Sequence, residues 1–311
     1  MSPSHSSPSA AAGLSLTRFV YGTTRLGDSK IAAGDRIAIA KAAMESGVCF
    51  HTSRQYGDAL EILGRTFDSD RSRVPRLIVK IGNNNLAEMR ANIRENIDPM
   101  GVDHIDVGQL CLGGRYAEEF RSGGECFGDF RRLKQEGLVR SFVMEVFPWT
   151  SQVSLDALRA GHTEGIVDAF IFYLNPLQRF ASNELWDLLV ERRAPIVAMR
   201  TVCGAPVHQL RDVPGAAWAP YLRDRAAEVA PIFEQSGIPD WTEFCFRFAF
   251  SHPQVLATVG STIRKANLDA FLKLGAAPKL DPLPGETLER LHRLQRLWSA
   301  EVDVHATPWT M

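Results

Sequence analysis

Residues 48–64 read Val48-Cys-Phe-His-Thr-Ser-Arg-Gln-Tyr-Gly-Asp-Ala-Leu-Glu-Ile-Leu-Gly64, and they join a short apolar run to a helical pattern. The run at 48–50 is typical of a strand, and 58–65 predicts the start of a helix. The turn between them is crowded with polar side chains, namely His51, Ser53, Arg54, Gln55 and Tyr56. Barrel enzymes keep catalytic groups at the C-terminal ends of their strands. The segment therefore predicts a strand–helix unit with a functional turn.

The composition is that of an ordinary globular protein. Apolar residues make up 45% of the 311-residue chain and charged residues 23%, which is ordinary for a globular protein. The formal net charge of −1 gives no reason to expect nucleic acid or a membrane surface as a partner. No apolar run reaches the length of a bilayer span. We expect a small-molecule substrate, and the oligomeric state stays open.

The N-terminal residues and the cysteines favour a cytoplasmic protein. Residues 1–12 are rich in Ser, Pro and Ala without the basic and apolar regions of a signal peptide, so we expect a disordered tail. The five cysteines are odd in number and scattered, which favours a reducing compartment. Cysteines and histidines show no ligand spacing of the zinc type, so we expect no metal site.

Apolar runs alternate with helical patterns along the whole chain. Eight runs predict strands, at 19–24, 48–52, 77–82, 107–112, 141–147, 169–175, 195–201 and 256–260. Between and after them, helices are predicted at 35–46, 86–97, 117–136, 151–160, 183–193, 221–235, 241–251, 264–274 and 285–302. Uninterrupted apolar strands indicate a parallel sheet that helices cover. Eight units predict a closed (β/α)8 TIM barrel, with an open doubly wound sheet as the alternative. No Gly-x-Gly-x-x-Gly motif follows an early strand to support that alternative.

One domain accounts for the rest of the chain. Nothing marks a linker within residues 13–311, so all of them are assigned to the barrel. The connection at 202–239 is longer than usual and predicts a lid or a binding loop.

Several motifs, taken together, resemble those of aldo-keto reductases. Residues 48–64 are similar to the family signature Phe-Asp-Thr-Ala-x-x-Tyr-Gly-x-x-Glu, with matches at Thr52, Tyr56, Gly57, Glu61 and Gly64. Further similar segments occur in family order at 22–27, 77–81, 104–111, 137–140, 173–175 and 260–268. The resemblance implies the same barrel and a reductase of carbonyl compounds that uses NAD(P)H. It assigns Tyr56 as the general acid and Lys80 as the group that lowers the tyrosine pKa.

Other positions depart from the family pattern. His51 stands where the family has the aspartate that holds the lysine, and Cys111 stands where it has the histidine that orients the carbonyl. In the nicotinamide pocket the replacements are Glu145, Val146, Ile171, Met199 and Arg200. The adenosine-phosphate loop survives in outline, through Gly260, Ser261, Thr262 and Arg264. The resemblance thus implies a residual cofactor site, and NAD(P)(H) is possible but not favoured.

These departures favour proton-transfer chemistry without a hydride. Tyr56 beside Lys80 can pass protons to and from a carbonyl compound, as an isomerase, dehydratase or lyase requires. The alternative is an NAD(P)H-dependent reductase with an atypical set of acid–base residues. A third interpretation is a ligand-binding barrel in which both residues are idle.

Five more residues complete the predicted site. His51 is either an acid or base near neutral pH or a hydrogen-bonded structural residue, and its charge should make Lys80 easier to deprotonate. Cys111 is either a nucleophile or, as we favour, a buried core cysteine. Glu145 ends an apolar strand and needs a partner, for which Arg200, Lys80 or a substrate cation are candidates. We assign Glu145, Arg200 and Arg54 to substrate binding.

Overall fold

The computed structural model describes residues 14–82, 85–203, 219–277 and 280–301. The strands are β1 Phe19–Gly22, β2 Cys49–Thr52, β3 Leu77–Gly82, β4 Ile105–Cys111, β5 Val139–Glu145, β6 Val167–Asn175, β7 Gln178–Arg179, β8 Ile196–Met199 and β9 Val255–Gly260. Parallel pairing runs in the order β5-β4-β3-β2-β1-β9-β8-β6, and β5 also pairs with β6. That last pairing closes the barrel and excludes the open sheet. The predicted TIM barrel is confirmed, and β7 only adds two antiparallel residues to β6.

Helices cover the outer face of the barrel, which explains the uninterrupted apolar strands. They are α1 Ala33–Glu45, α2 Ala59–Phe67, α3 Leu86–Met100, α4 Gly114–Ser122, α5 Cys126–Gln135, α6 Ser151–Arg159, α7 Asn183–Glu191, α8 Ala219–Gln235, α9 Trp241–Phe250, α10 Lys265–Ala276 and α11 Gly285–Glu301. None of these helices could cross a membrane.

Two helix predictions are wrong in detail. The single helix predicted at 117–136 is α4 followed by α5, because Gly123 adopts a left-handed φ of 80° that ends α4. The helix predicted to stop before Pro99 continues to Met100 and ends at Gly101, whose φ is 63°. A proline in the last turn removes only one backbone hydrogen bond, whereas a left-handed glycine turns the chain away.

The turn after β2 is packed against the turn after β1. A Cβ atom added to Gly27 would lie 1.7 Å from the carbonyl oxygen of Tyr56. Gly57 has a left-handed φ of 56°, and its own added Cβ would lie 2.5 Å from the carbonyl oxygen of Gly27. Only glycines allow these two backbones to approach so closely. The contact fixes the backbone that carries Tyr56.

Helix α11 is docked on the barrel through polar contacts. Nε2 of His292 lies 2.9 Å from Nε2 of His252, which follows α9. Nε2 of Gln295 donates to the carbonyl oxygen of Asn175 at the end of β6, at 2.9 Å. The helix predicted at 285–302 corresponds to α11, which contacts the barrel through these residues. The tail predicted at 1–12, and residues 204–218 of the long connection, lie outside the described residues.

Candidate active site

Tyr56 lies in the turn after β2 and is 6% exposed. Burial raises its pKa, while the positive charge of Lys80 and a hydrogen bond with Thr24 act in the opposite direction. The phenol is thus protonated at neutral pH and lies within the field of the lysine. This is the arrangement that a proton donor needs.

Lys80 and Glu145 form a buried ion pair. Nζ of Lys80, on β3, lies 3.0 Å from Oε1 of Glu145, the last residue of β5, and the two side chains are 7% and 1% exposed. Burial is the largest single influence and favours the neutral amine, but Glu145 together with Tyr56, Cys111 and Tyr173 raises the pKa of Lys80 well above its ordinary value. The expectation that Lys80 would be easy to deprotonate is wrong, because Glu145 supplies a negative charge. Oε1 has no other partner among the described residues and receives no well-aligned hydrogen bond.

Cys111 lies on β4, between the strands that carry Lys80 and Glu145, and contacts this ion pair. Its thiol, at the end of β4, donates a hydrogen bond to Oε2 of Glu145. Burial and the neighbouring carboxylate raise the pKa of Cys111 well above its ordinary value. A thiol held in its protonated form is a poor nucleophile, so the geometry favours a supporting role over a nucleophilic one. It also differs from a plain core cysteine, because it has a polar partner.

His51 is a neutral, hydrogen-bonded residue. Burial, together with the positive charge of Lys80, lowers the pKa of His51 to about 4. Its Nε2 lies 2.7 Å from Oε1 of Gln109 on β4. That oxygen can only accept, so Nε2 carries the proton. The ring does not titrate near neutral pH, which favours the structural alternative.

Arg200 directly follows β8 and has a left-handed φ of 51°. Its carbonyl oxygen accepts a hydrogen bond from Nδ2 of the buried Asn175 at 3.0 Å. Its guanidinium lies 4.9 Å from the centre of the Tyr173 ring, and that ring stacks on Phe180 at 4.3 Å. Burial raises the pKa of Tyr173 to about 12, against the opposing charges of Arg200 and Lys80. Arg200 therefore shares the barrel mouth with Lys80, but it is not the partner of Glu145.

The Arg54 side chain does not point toward Lys80, Glu145 and Cys111. Its guanidinium pairs with Glu95 of α3, and both side chains are about half exposed. Its backbone N–H donates to the side chain of Asn96 at 2.9 Å. The substrate-binding role predicted for Arg54 loses its geometric basis, because the side chain leans outward along α3.

The residues predicted to hold the cofactor phosphate surround the start of α10. Oγ of Ser261 accepts from the backbone N–H of Arg25 at 3.1 Å, and the carbonyl oxygen of Thr262 accepts from Tyr21 at 2.7 Å. Arg264 is the N-cap residue of α10, and no side chain caps the first turn. The loop that begins at Gly260 is thus shaped by its own hydrogen bonds and leaves the helix N-terminus open. An open helix N-terminus beside an arginine suits a phosphate group.

Sequence reasoning missed the partners of the predicted residues. Gln109 holds His51, and Asn175 holds the backbone of Arg200. The signal that could have indicated both is a polar side chain near the end of an apolar strand, since such a group needs a partner when it is buried. Asp106, in the family-like segment 104–111, has a structural role because its carboxylate accepts from the backbone N–H of Leu77 at 3.0 Å.

Comparison with known proteins agrees with the barrel fold. Residues 18–292 match the sequence profile of the Aldo/keto reductase family. The chain belongs to this family of (β/α)8 barrel enzymes. No curated protein matches the sequence.

Solved structures share this fold at low sequence identity. The aldo-keto reductase AKR11C1 from Bacillus halodurans, in its holo form, is 18% identical with a TM-score of 0.67, over 91% of this chain and 96% of that one. An aldo-keto reductase from Klebsiella pneumoniae in complex with NADPH is 19% identical with a TM-score of 0.65, over 91% and 92% of the two chains. The thermostable aldo-keto reductase Tm1743, in complex with the inhibitor epalrestat, is 14% identical with a TM-score of 0.68, over 91% and 97%.

Proposed function

We propose that this protein is an NAD(P)H-dependent reductase of a small carbonyl compound, with Tyr56 as the proton donor. The observation that carries the proposal is the ion pair of Lys80 with Glu145. The case for hydride-independent chemistry rested on the residues that replace the nicotinamide grip, Glu145 among them. Glu145 instead supplies Lys80 with a carboxylate where His51 has none, so this replacement supports an intact acid–base pair. The family, and its member solved with NADPH, support the reductase alternative instead.

The residues present fit a nicotinamide dinucleotide at both ends of the mouth. Oε1 of Glu145 is a buried acceptor without a well-aligned donor, and a carboxamide N–H group can supply one. Arg264 and the open first turn of α10 suit a phosphate. Ile171 and Met199 are buried apolar side chains, which suit a ring better than a charged group. Glu145, Met199 and Arg264 would therefore hold the cofactor, and when bound it supplies the hydride.

The chain supplies the proton and controls its transfer. The Tyr56 hydroxyl donates its proton to the carbonyl oxygen as that oxygen gains charge, and the product is an alcohol. The phenolate left behind is stabilised by the Lys80 ammonium. Glu145 keeps that ammonium charged and in place, and the Cys111 thiol orients the carboxylate. His51 is neutral and committed to Gln109, so it does not compete as a proton donor.

Binding and turnover with NADPH and NADH test the proposal. We expect fluorescence titration to show saturable binding and a panel of aldehydes to be reduced with matching cofactor oxidation. Tyr56→Phe should bind the cofactor normally and lose about 10²- to 10⁴-fold in rate, the usual contribution of a general acid. Tyr116→Phe is the matched control, because this hydroxyl bonds Asp129 outside the mouth. Failure to bind either cofactor, or full activity of Tyr56→Phe, would contradict the proposal.

A further inference from the structure

Arg179, on β7, is a buried arginine that the proposed chemistry does not use. The residue is 6% exposed. Its Nη2 donates to Oδ1 of Asn183, the first residue of α7, and to Oγ of Ser299 on α11 at 3.3 Å. The guanidinium carbon lies 5.2 Å from the centre of the Trp186 ring. All three partners are neutral, so Arg179 joins β7, α7 and α11 without forming an ion pair with a described residue.

A buried positive charge of this kind is unfavourable, because buried charges in proteins are normally paired. The carboxylate of Asp187 acts on Arg179, but it forms its ion pair with Arg296, whose own charge acts on Arg179 in the opposite direction. Burial, followed by the charge of Arg296, lowers the pKa of Arg179 to about 10. The guanidinium is therefore still charged at neutral pH, and its charge is poorly compensated.

The neighbouring histidines supply no counter-charge. Burial lowers the pKa of both His252 and His292, and the positive charge of Arg179 acts in the same direction on each of them. Their Nε2 atoms lie 2.9 Å apart and are partners of one another. The charge of Arg179 thus acts on the groups around it, and these groups respond by staying neutral.

Two hydrogen-bond donors at this place lack an acceptor among the described residues. Nε of Arg179 is buried and has no partner there. The hydroxyl of Ser299 accepts from Arg179, which leaves its own proton to donate. Nε and Nη2 belong to the same planar group, so one small ion can contact both donors. Asn183 and Ser299 are partly exposed, which gives such an ion a route from solvent.

We propose that Arg179 and Ser299 bind a small, singly charged inorganic anion such as chloride, and that this ion helps to hold α11 against β7. One negative charge balances the one guanidinium that lacks an ionic partner, because Arg296 is already paired with Asp187. Hydrogen bonds to a charged group are the strong ones, and a guanidinium is weakly hydrated and suited to a partly buried ion. The site is independent of the proposed reductase function.

The test compares thermal unfolding in sodium chloride and in sodium gluconate at equal ionic strength, so that general screening is the same in both. Gluconate is too bulky for a site between three packed elements. We expect chloride to raise the Tm of the wild-type protein by about 2 °C or more in a saturable way, as a ligand does at about ten times its Kd.

Variants locate the effect. Arg179→Met should remove the difference between the two salts. Ser299→Ala should raise the chloride concentration that gives half of the effect by about 2- to 10-fold, the contribution of one hydrogen bond. Arg192→Met is the matched control, because Arg192 is exposed and bonds the carbonyl oxygen of Leu158, and it should keep the chloride effect.

Crystals soaked in sodium bromide locate the ion directly by its anomalous scattering. We expect a bromide peak beside Nε of Arg179 and Oγ of Ser299 in the wild-type protein, and a weaker peak in Ser299→Ala. This measurement decides the question if Arg179→Met does not fold. The proposal would be overturned by a wild-type Tm that is equal in the two salts, by a chloride effect that persists in Arg179→Met, or by the absence of bromide at Arg179.

Discussion

Glu145 links the ends of three strands in the mouth of the barrel. It lies on β5, while the lysine it serves lies on β3 and the thiol that orients it lies on β4. The three ends are neighbours around the barrel, although more than sixty positions separate the first from the last in the chain. A carboxylate at this place maintains the charge of Lys80, and that charge acts to lower the pKa of Tyr56, the proposed proton donor.

Glu145→Gln should therefore cost more stability than an ordinary surface change. It leaves a buried ammonium without its counter-charge, and breaking a buried pair in this way typically costs about 3–5 kcal/mol. Urea unfolding should show this loss as a lower midpoint. Adding Lys80→Met to Glu145→Gln should recover much of it, because no charge is then left unpaired. A double variant as unstable as the sum of the two single variants would contradict this explanation.

At the level of elements, two turns set the position of Tyr56. The turn after β1 presents Gly27 to the carbonyl oxygen of Tyr56, and the turn after β2 presents Gly57 to Gly27 in return. Neither turn has room for a side chain at these contacts. The position of Tyr56, the proposed proton donor, is thus set by backbone packing rather than by hydrogen bonds to the phenol alone.

Gly27→Ala should displace Tyr56 and weaken the protein. The new Cβ meets a backbone oxygen at 1.7 Å, so one of the turns must move. We expect a loss of about 1–3 kcal/mol in unfolding free energy, as for overpacked cores, together with a fall in kcat. Gly34→Ala in α1 is the control, because its Cβ meets nothing within 4 Å, and it should stabilise the protein by about 0.5–1 kcal/mol. Equal stability of the two variants would show that the turns are not rigid.

The order and positions of the strands and helices were largely predictable from the sequence. Which side chains meet at the strand ends was not. Apolar runs located the barrel strands because a parallel strand in a closed barrel is covered on both faces. The break at Gly123 escaped notice because a helical period continues on both sides of it. The match of Glu145 with Lys80, rather than with Arg200, depends on which strand ends meet when the barrel closes. Sequence spacing alone does not contain that information.

At the level of the whole molecule, two buried histidines make the stability of the barrel depend on pH. The pKa of His51 is lowered to about 4 by burial and Lys80, and that of His252 to about 3 by burial and His292. Both rings are held neutral in the fold, so each contributes stability that is present above the unfolded pKa of about 6.5 and is lost as the pH falls toward its folded value.

Unfolding free energies at pH 7 and pH 5 should therefore differ. Each ring should account for a loss of about 2 kcal/mol at pH 5, from the gap between that pH and the unfolded pKa. The double variant His51→Gln, His252→Gln should lose less between the two pH values than the wild-type protein. His162→Gln serves as the control for a histidine-to-glutamine change at a partly exposed position elsewhere in the chain. A wild-type stability that does not change between pH 7 and pH 5 would contradict the assignment.

The position of the carboxylate also bears on how such a mouth can change over evolutionary time. His51 and Glu145 both lie within the electrostatic reach of Lys80, from opposite sides of it around the barrel. A lineage can therefore acquire an acid on β5 while an acid on β2 is still in place, and lose the older one afterwards. At no step would the ammonium be left without a counter-charge. What selection on such a barrel maintains is a negative charge next to the ammonium. The end of more than one strand can carry that charge.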